Sequence, residues 1–132
     1  MSRWRLDGQT ALVTGASKGI GLATTRELLG LGADVLMVAR DEEYLLRVCA
    51  DLEEEFPAQQ VRAFAADVAD AEQRLEVYDW IADLGTDLHL LVNNAGGNTP
   101  KPTLDYAEDE VRALFATNVH SAFGMARLAH PL

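Results

Sequence analysis

Along the chain, continuous apolar runs of strand length alternate with longer stretches whose apolar residues recur at three and four. The first run, Thr10 to Thr14, holds Ala11, Leu12 and Val13 without a polar residue between them. That pattern predicts a strand covered on both faces. A helix is expected from about Gly19 to Leu31, stopped at Gly30 or Gly32. Val35 to Ala39 is the second strand, and a strand, a helix and a strand within about thirty residues make a parallel, right-handed crossover. Asp41 to Phe56 reads as a helix through Tyr44, Leu45, Val48, Leu52 and Phe56, ended by Pro57. Val61 to Ala66 is the third strand. Asp70 opens a third helix with Leu75, Ile81 and Leu84 as its apolar positions and Gly85 as its stop. Leu88 to Val92 is the fourth strand, Asn93 to Pro102 a loop, and Leu104 to about Ala129 a last helix before Pro131. This alternation predicts an α/β fold, a doubly wound parallel sheet in a single domain over residues 1–132, with no internal linker or repeat. Trp4 and Leu6, ahead of the first strand, read as an apolar tether against its edge.

Where the first strand ends, Thr14-Gly15-Ala16-Ser17-Lys18-Gly19-Ile20-Gly21 spaces its glycines as G-x-x-x-G-x-G. Backbone N–H groups at a helix start are unpaired and partly positive, and an anionic pyrophosphate reaches them only where no side chain intervenes. Gly15 can take a turn conformation, while Gly19 and Gly21 allow close approach of ligand or backbone. Glycines also punctuate ordinary loops, so the triplet alone leaves a plain turn open. At the end of the second strand such a fold meets the adenosine ribose, where an acid suits NAD and an arginine suits a 2'-phosphate. Here Ala39 stands in the acid's place and Arg40 follows. The competing reading pairs Arg40 with Asp41 to Glu43 as a surface ion cluster.

Charge and composition narrow the partners. A net charge of -10 argues against nucleic acid or an anionic membrane surface. Asp41 to Glu43 and Asp51 to Glu55, where much of the excess lies, read as solvated helix faces. An anionic cofactor must then be held by local donors. No apolar run is long enough to cross a bilayer and no secretory segment opens the sequence, so a cytoplasmic location is expected. Cys49 is the only cysteine and the three histidines are scattered, so no metal site is expected.

Thr14 to Gly21, Asp67-Val68 and Asn93-Asn94-Ala95-Gly96, in that order and spacing, resemble the short-chain dehydrogenase/reductase family. Arg3-Trp4-Arg5-Leu6 with Gly8 and Thr10 to Gly15 is similar to its tropinone-reductase-like members. The resemblance runs through essentially the whole sequence but covers only the first half of the family pattern. It implies a Rossmann-type sheet of order 3-2-1-4, truncated after the fourth strand and its following helix, and NADP(H) as cofactor, Lys18 supplying a second cation beside Arg40. It implies cofactor contacts at Gly15, Ser17, Lys18, Gly19, Ile20, Gly21, Arg40, Asp67, Val68, Asn94, Ala95 and Gly96. Asp67 would face the adenine amino group with Val68 near the ring, and Asn93 would tie neighbouring strands. Taken alone, Asp67 could cap the following turn, and Asn93 and Asn94 could bond their own backbone.

Asn118 falls within the apolar stripe of the last helix, Val111, Leu114, Phe115, Ala122, Met125 and Ala129. A core-facing Asn there must find partners, its own helix backbone included. In the resembled family an Asn in this helix bends it and holds a water leading to the catalytic lysine, which makes Asn118 the one catalytic candidate. The family's proton donor is a Tyr with a Lys four residues later, preceded by a Ser that lies beyond Leu132. Tyr44, Tyr78 and Tyr106 are followed four residues on by Val48, Ala82 and Glu110, and the only lysines are Lys18 and Lys101. The expectation is therefore the cofactor-binding half of an NADP-dependent carbonyl reductase or alcohol dehydrogenase, inactive alone. A non-catalytic NADP-binding or sensing module completed by a partner, and a truncated product without selected function, are the alternatives. The apolar last helix and the open edge of the fourth strand predict a homo-oligomer.

Overall fold

The computed structural model describes residues 4–132; Arg3 of the opening motif lies outside them. Four parallel strands, β1 (Thr10–Thr14), β2 (Asp34–Ala39), β3 (Val61–Ala65) and β4 (Leu90–Val92), form one sheet in the order β3-β2-β1-β4. Between them run α1 (Gly19–Gly30), α2 (Glu42–Glu55) and α3 (Ala71–Leu84), and β4 is followed by α4 (Glu108–Phe115) and α5 (Ser121–Ala129). Leu12 lies level with Leu36 and Leu91 on the neighbouring strands. Ala11, Val13, Val35 and Met37 pack to one face with Leu29, Leu45 and Leu52 of α1 and α2. Leu12, Leu36 and Val38 pack to the other with Val77, Ile81 and Met125 of α3 and α5. Helices on both faces are the reason the inner residues of β1 and β2 are continuously apolar, while the edge strand β3 admits the exposed Arg62.

The ends of the helices follow local chemistry. The Asp41 carboxylate accepts the Tyr44 N–H at the start of α2, and Asp70 accepts from Glu72 and Gln73 at the start of α3. Gly85 closes α3 in the left-handed conformation, at φ 67°. Among the described residues no helix is long and apolar enough to cross a membrane.

Several expectations shift. In α3 the buried positions are Val77 and Ile81, one turn apart, while Leu75 is exposed because two residues of helix carry it off that face. Trp4 is exposed, and the Leu6 N–H bonds the Leu31 carbonyl at 2.8 Å. Regular pairing in β4 begins only at Leu90. The lead-in is fixed by the His89 N–H on the Thr10 carbonyl and by the Thr10 N–H on His89 Nδ1, at 2.9 and 3.0 Å.

The last helix is not continuous. Thr103–Asp105 forms a separate 3-10 turn on which Leu104 is 96% exposed. Tyr106 pins this segment by donating its hydroxyl to the Thr99 carbonyl, and Lys101 pairs with Glu110. Glu110 also accepts the Ala107 N–H, and α4 starts at Glu108, four residues after the expected Leu104. A π turn, Ala116–His120, then separates α4 from α5. α5 packs against α3, whereas Val111 and Phe115 of α4 are exposed rather than core.

One polar residue ends the buried run of β1. The Thr14 hydroxyl accepts the backbone N–H groups of Asn94 and Ala95 at 3.1 and 3.0 Å and donates to the Val92 carbonyl at 3.4 Å. Thr14 is almost fully buried, and removing its hydroxyl leaves the Ala95 N–H without that partner. Thr14→Val keeps the shape and is expected to cost about 1 to 3 kcal/mol, with Thr14→Ser close to the parent. Urea denaturation of the three proteins checks this, and an unchanged midpoint for the valine variant contradicts it.

Candidate functional site

All four strands end, at their C-terminal edge, on one cleft of about 470 Å³. Gly15, Ser17 and Lys18 line it after β1, Ala39, Arg40, Asp41 and Tyr44 after β2, Ala66, Asp67 and Val68 after β3, and Asn94, Ala95 and Gly96 after β4. Thr117 of the π turn closes one side. A cleft at this edge of an open parallel sheet is where such folds take their ligands, and its size is in the range of small-molecule sites.

The glycines divide the work. Gly15 adopts φ 62° and Gly19 φ 58°, both left-handed, and nothing lies within 4 Å of where a Gly19 side chain would begin. At Gly21 a Cβ would stand 2.0 Å from the Gly15 carbonyl oxygen, so this glycine serves backbone packing. Gly19, Ile20 and Gly21 stand at the start of α1 and off the cleft wall, and the Ile20 side chain is exposed. Among the described residues no side chain caps α1, and no acid lies in its first turn, unlike α2 and α3. The helix start is left to meet an anion with its own N–H groups.

Among the described residues Arg40 and Lys18 make no ion pair, and both are exposed. The alternative pairing of Arg40 with Asp41 to Glu43 is thus not formed; Asp41 is engaged as the α2 cap. In a chain with a net charge of -10, two unneutralised cations line one cleft.

Asp67 does cap its turn, one carboxylate oxygen accepting the Ala69 N–H at 3.0 Å, and its own N–H bonds Gln73 Oε1 at 2.7 Å. The structure corrects the role expected of Asn93, which reaches the Ala122 carbonyl of α5 at 3.3 Å; the tie between neighbouring loops is made by Asn94, which donates to the Gly15 carbonyl at 3.1 Å. Asn94, Ala95 and Gly96 all line the cleft, where they were expected.

Asn118 differs from the expected core-facing amide: it is exposed and off the cleft wall. It bonds its own helix through the Leu114 carbonyl at 2.9 Å and clamps Gly97 twice, accepting its N–H at 3.0 Å and donating to its carbonyl at 2.8 Å. A Cβ on Gly96 would lie 2.8 Å from Asn118 Oδ1. Asn118 sits within the π turn, where the helix widens, and fastens the loop after β4 to it.

Thr14, Asp41, Tyr44 and Thr117 were not candidates on sequence grounds. Thr14 had a signal, a hydroxyl closing an otherwise apolar run. Tyr44 had the opposite signal, since its spacing matches the buried face of α2. Cys49 offers no chemistry: burial, with the Glu53 carboxyl beside it, pushes its thiol up to about 12, so it is no nucleophile near neutrality. Among the described residues no group of three His, Cys, Asp or Glu side chains is placed to hold a metal.

Residues 9–132 match the family model described as short chain dehydrogenase. Senescence-associated protein 13 of Arabidopsis thaliana is 42% identical over 132 residues, covering 99% of this chain and 48% of the relative. A tropinone reductase homolog of the same plant is 41% identical over 137 residues, covering 99% and 48%. Among solved structures, L-sorbose reductase from Gluconobacter frateurii, complexed with NADPH and L-sorbose, superposes with a TM-score of 0.93 at 29% identity, over 98% of this chain and 49% of that one. A short chain dehydrogenase from Burkholderia cenocepacia in complex with NADP gives 0.88 at 33% identity, over 96% and 51%. The chain spans about half the length of the curated relatives it matches. With its order β3-β2-β1-β4 and its uncapped glycine loop facing the cleft, the chain belongs to the short-chain dehydrogenase family.

Proposed function

We propose that these residues form the NADP(H)-binding part of a short-chain oxidoreductase that interconverts carbonyls and alcohols. The observation that carries the reading is the end of β2, where Ala39 replaces an acid and Arg40, free of any ion pair among the described residues, shares the cleft with Lys18. The donor set fits the cofactor. Gly15, Ser17 and Lys18, with the start of α1 at Gly19, Ile20 and Gly21, would hold the pyrophosphate. Arg40 and Lys18 would hold the 2'-phosphate, Asp67 and Val68 the adenine, and Asn94, Ala95 and Gly96 the path toward the nicotinamide. The bound cofactor would supply the hydride; the protein's part is to hold it extended at the strand ends. Asn118 would act by fixing the loop after β4. NADPH and NADP in the related structures support the choice of cofactor. The proposal includes a cytoplasmic location.

NADPH is expected to bind about tenfold or more tighter than NADH, the worth of a charge-assisted contact. Titration of both at one ionic strength checks this. Equal affinities, or an Arg40→Ala variant that holds NADPH as well as the parent, would remove the argument.

The 132 residues by themselves are expected to turn over no ketone or alcohol, because no tyrosine has a lysine four residues on. Steady hydride transfer by purified chain of verified mass, abolished by Gly19→Asp, would overturn this.

The same chain is proposed to self-associate. Among the described residues β4 pairs only with β1, leaving one edge open, and Phe115, Val119 and Phe123 are exposed along the last helical segments, Phe123 at 73%. At about 25 cal/mol per Å², covering roughly 400 Å² of apolar surface contributes on the order of 10 kcal/mol before the costs of association. Light scattering over a concentration series should show a dimer or larger species. A persistent 14.4 kDa monomer that binds no hydrophobic dye contradicts it.

A further inference from the structure

Arg74, in the first turn of α3, turns its guanidinium back over the segment that joins β3 to α3. Its Nη1 donates to the Val68 carbonyl at 2.7 Å, and the neighbouring Gln73 accepts the Asp67 N–H at 2.7 Å. The two bonds grip the dipeptide Asp67-Val68 from both ends, and both residues line the cleft. Arg74 is half-buried and makes no ion pair among the described residues. A long cation is therefore held by a backbone carbonyl of the cleft wall and not by a carboxylate.

The opposite helix makes room for it. A Cβ on Gly124 of α5 would lie 2.3 Å from Arg74 Nε and 2.9 Å from its Cδ and Cζ. Glycine inside a helix is less stable than alanine, so α5 gives up helix propensity at the one place where Arg74 lies. A surface arginine with no task needs no such notch.

We propose that Arg74, seated in the Gly124 notch, is a positioning residue for the adenosine end of the cleft, fixing Val68 and Asp67 and tying that wall to α5. This rests on the dinucleotide reading above. It makes the adenosine end sensitive to α5, a helix that does not itself line the cleft.

The test uses 2',5'-ADP, which carries the adenosine half and the 2'-phosphate without nicotinamide, in calorimetric titration of the full chain. Arg74→Met and Gly124→Ala are each expected to weaken it about tenfold, the worth of a hydrogen bond to a charged group. The double variant should be no weaker than Arg74→Met, because both changes remove one contact. Arg74→Lys, which keeps a donor, should recover part of the loss. The clash at position 124 is with the movable end of a side chain, so Gly124→Ala keeps its thermal midpoint and decides the matter even where Arg74→Met fails to fold. Parent-like binding of 2',5'-ADP by folded Gly124→Ala, or losses that add in the double variant, overturns the proposal while leaving NADPH binding by the parent intact. Failure of the parent to bind either nucleotide overturns the dinucleotide reading and this proposal together.

Discussion

Three backbone groups of the β4 end converge on a single buried hydroxyl, that of Thr14, and the cleft depends on that convergence. A parallel strand ends with N–H and C=O groups that its neighbours no longer pair, and burial makes each unpaired group costly. Thr14 takes up those of the segment after β4 and so sets where Asn94 begins its turn. Asn94 then donates to the Gly15 carbonyl, and Gly21 stands against the same oxygen with no room for a Cβ. The glycine loop is thus shaped from behind by β4 before any ligand arrives.

That ordering explains why the glycines are not interchangeable. Gly21 is required by contact within the protein, Gly15 by its left-handed backbone and by the Asn94 contact, and Gly19 by its left-handed backbone with open space beside it. Substitution at Gly21 therefore strains the fold, whereas a side chain at Gly19 meets a strained backbone and the mouth of α1.

The centre of the sheet was legible because β1 and β2 are buried on both faces, so Ala11 to Val13 and Val35 to Ala39 had to be continuously apolar. The two ends of α3 were legible because Asp70 and Gly85 act on the turn adjacent to them in sequence, whereas Asp41, read as part of an acidic face, was found as the α2 cap only in the fold. What lay beyond the sequence depends on partners far along the chain. Val111 and Phe115 match a buried stripe, yet burial needs a second surface, and the fold leaves both exposed. Asn118 was picked out by position, but only the fold shows it exposed and holding Gly97. The pairing of Arg74 with Gly124 has no local signature, since an arginine in one helix and a glycine in another are each ordinary until α3 and α5 pack.

Charge gives the last step. A chain with a net charge of -10 repels an anion at long range, and at physiological ionic strength that repulsion is screened beyond about 8 Å. Within that distance the charges are even: Lys18 and Arg40 line the cleft without ion pairs among the described residues, beside the carboxylates of Asp41 and Asp67, which accept the Tyr44 and Ala69 N–H groups, and no side chain among the described residues caps α1. A carboxylate that accepts a backbone N–H is oriented by it and turned toward its own turn. The acidic helix faces act only at long range, and what the cleft itself offers an anion is a short-range set of donors: the two cations and the N–H groups at the start of α1.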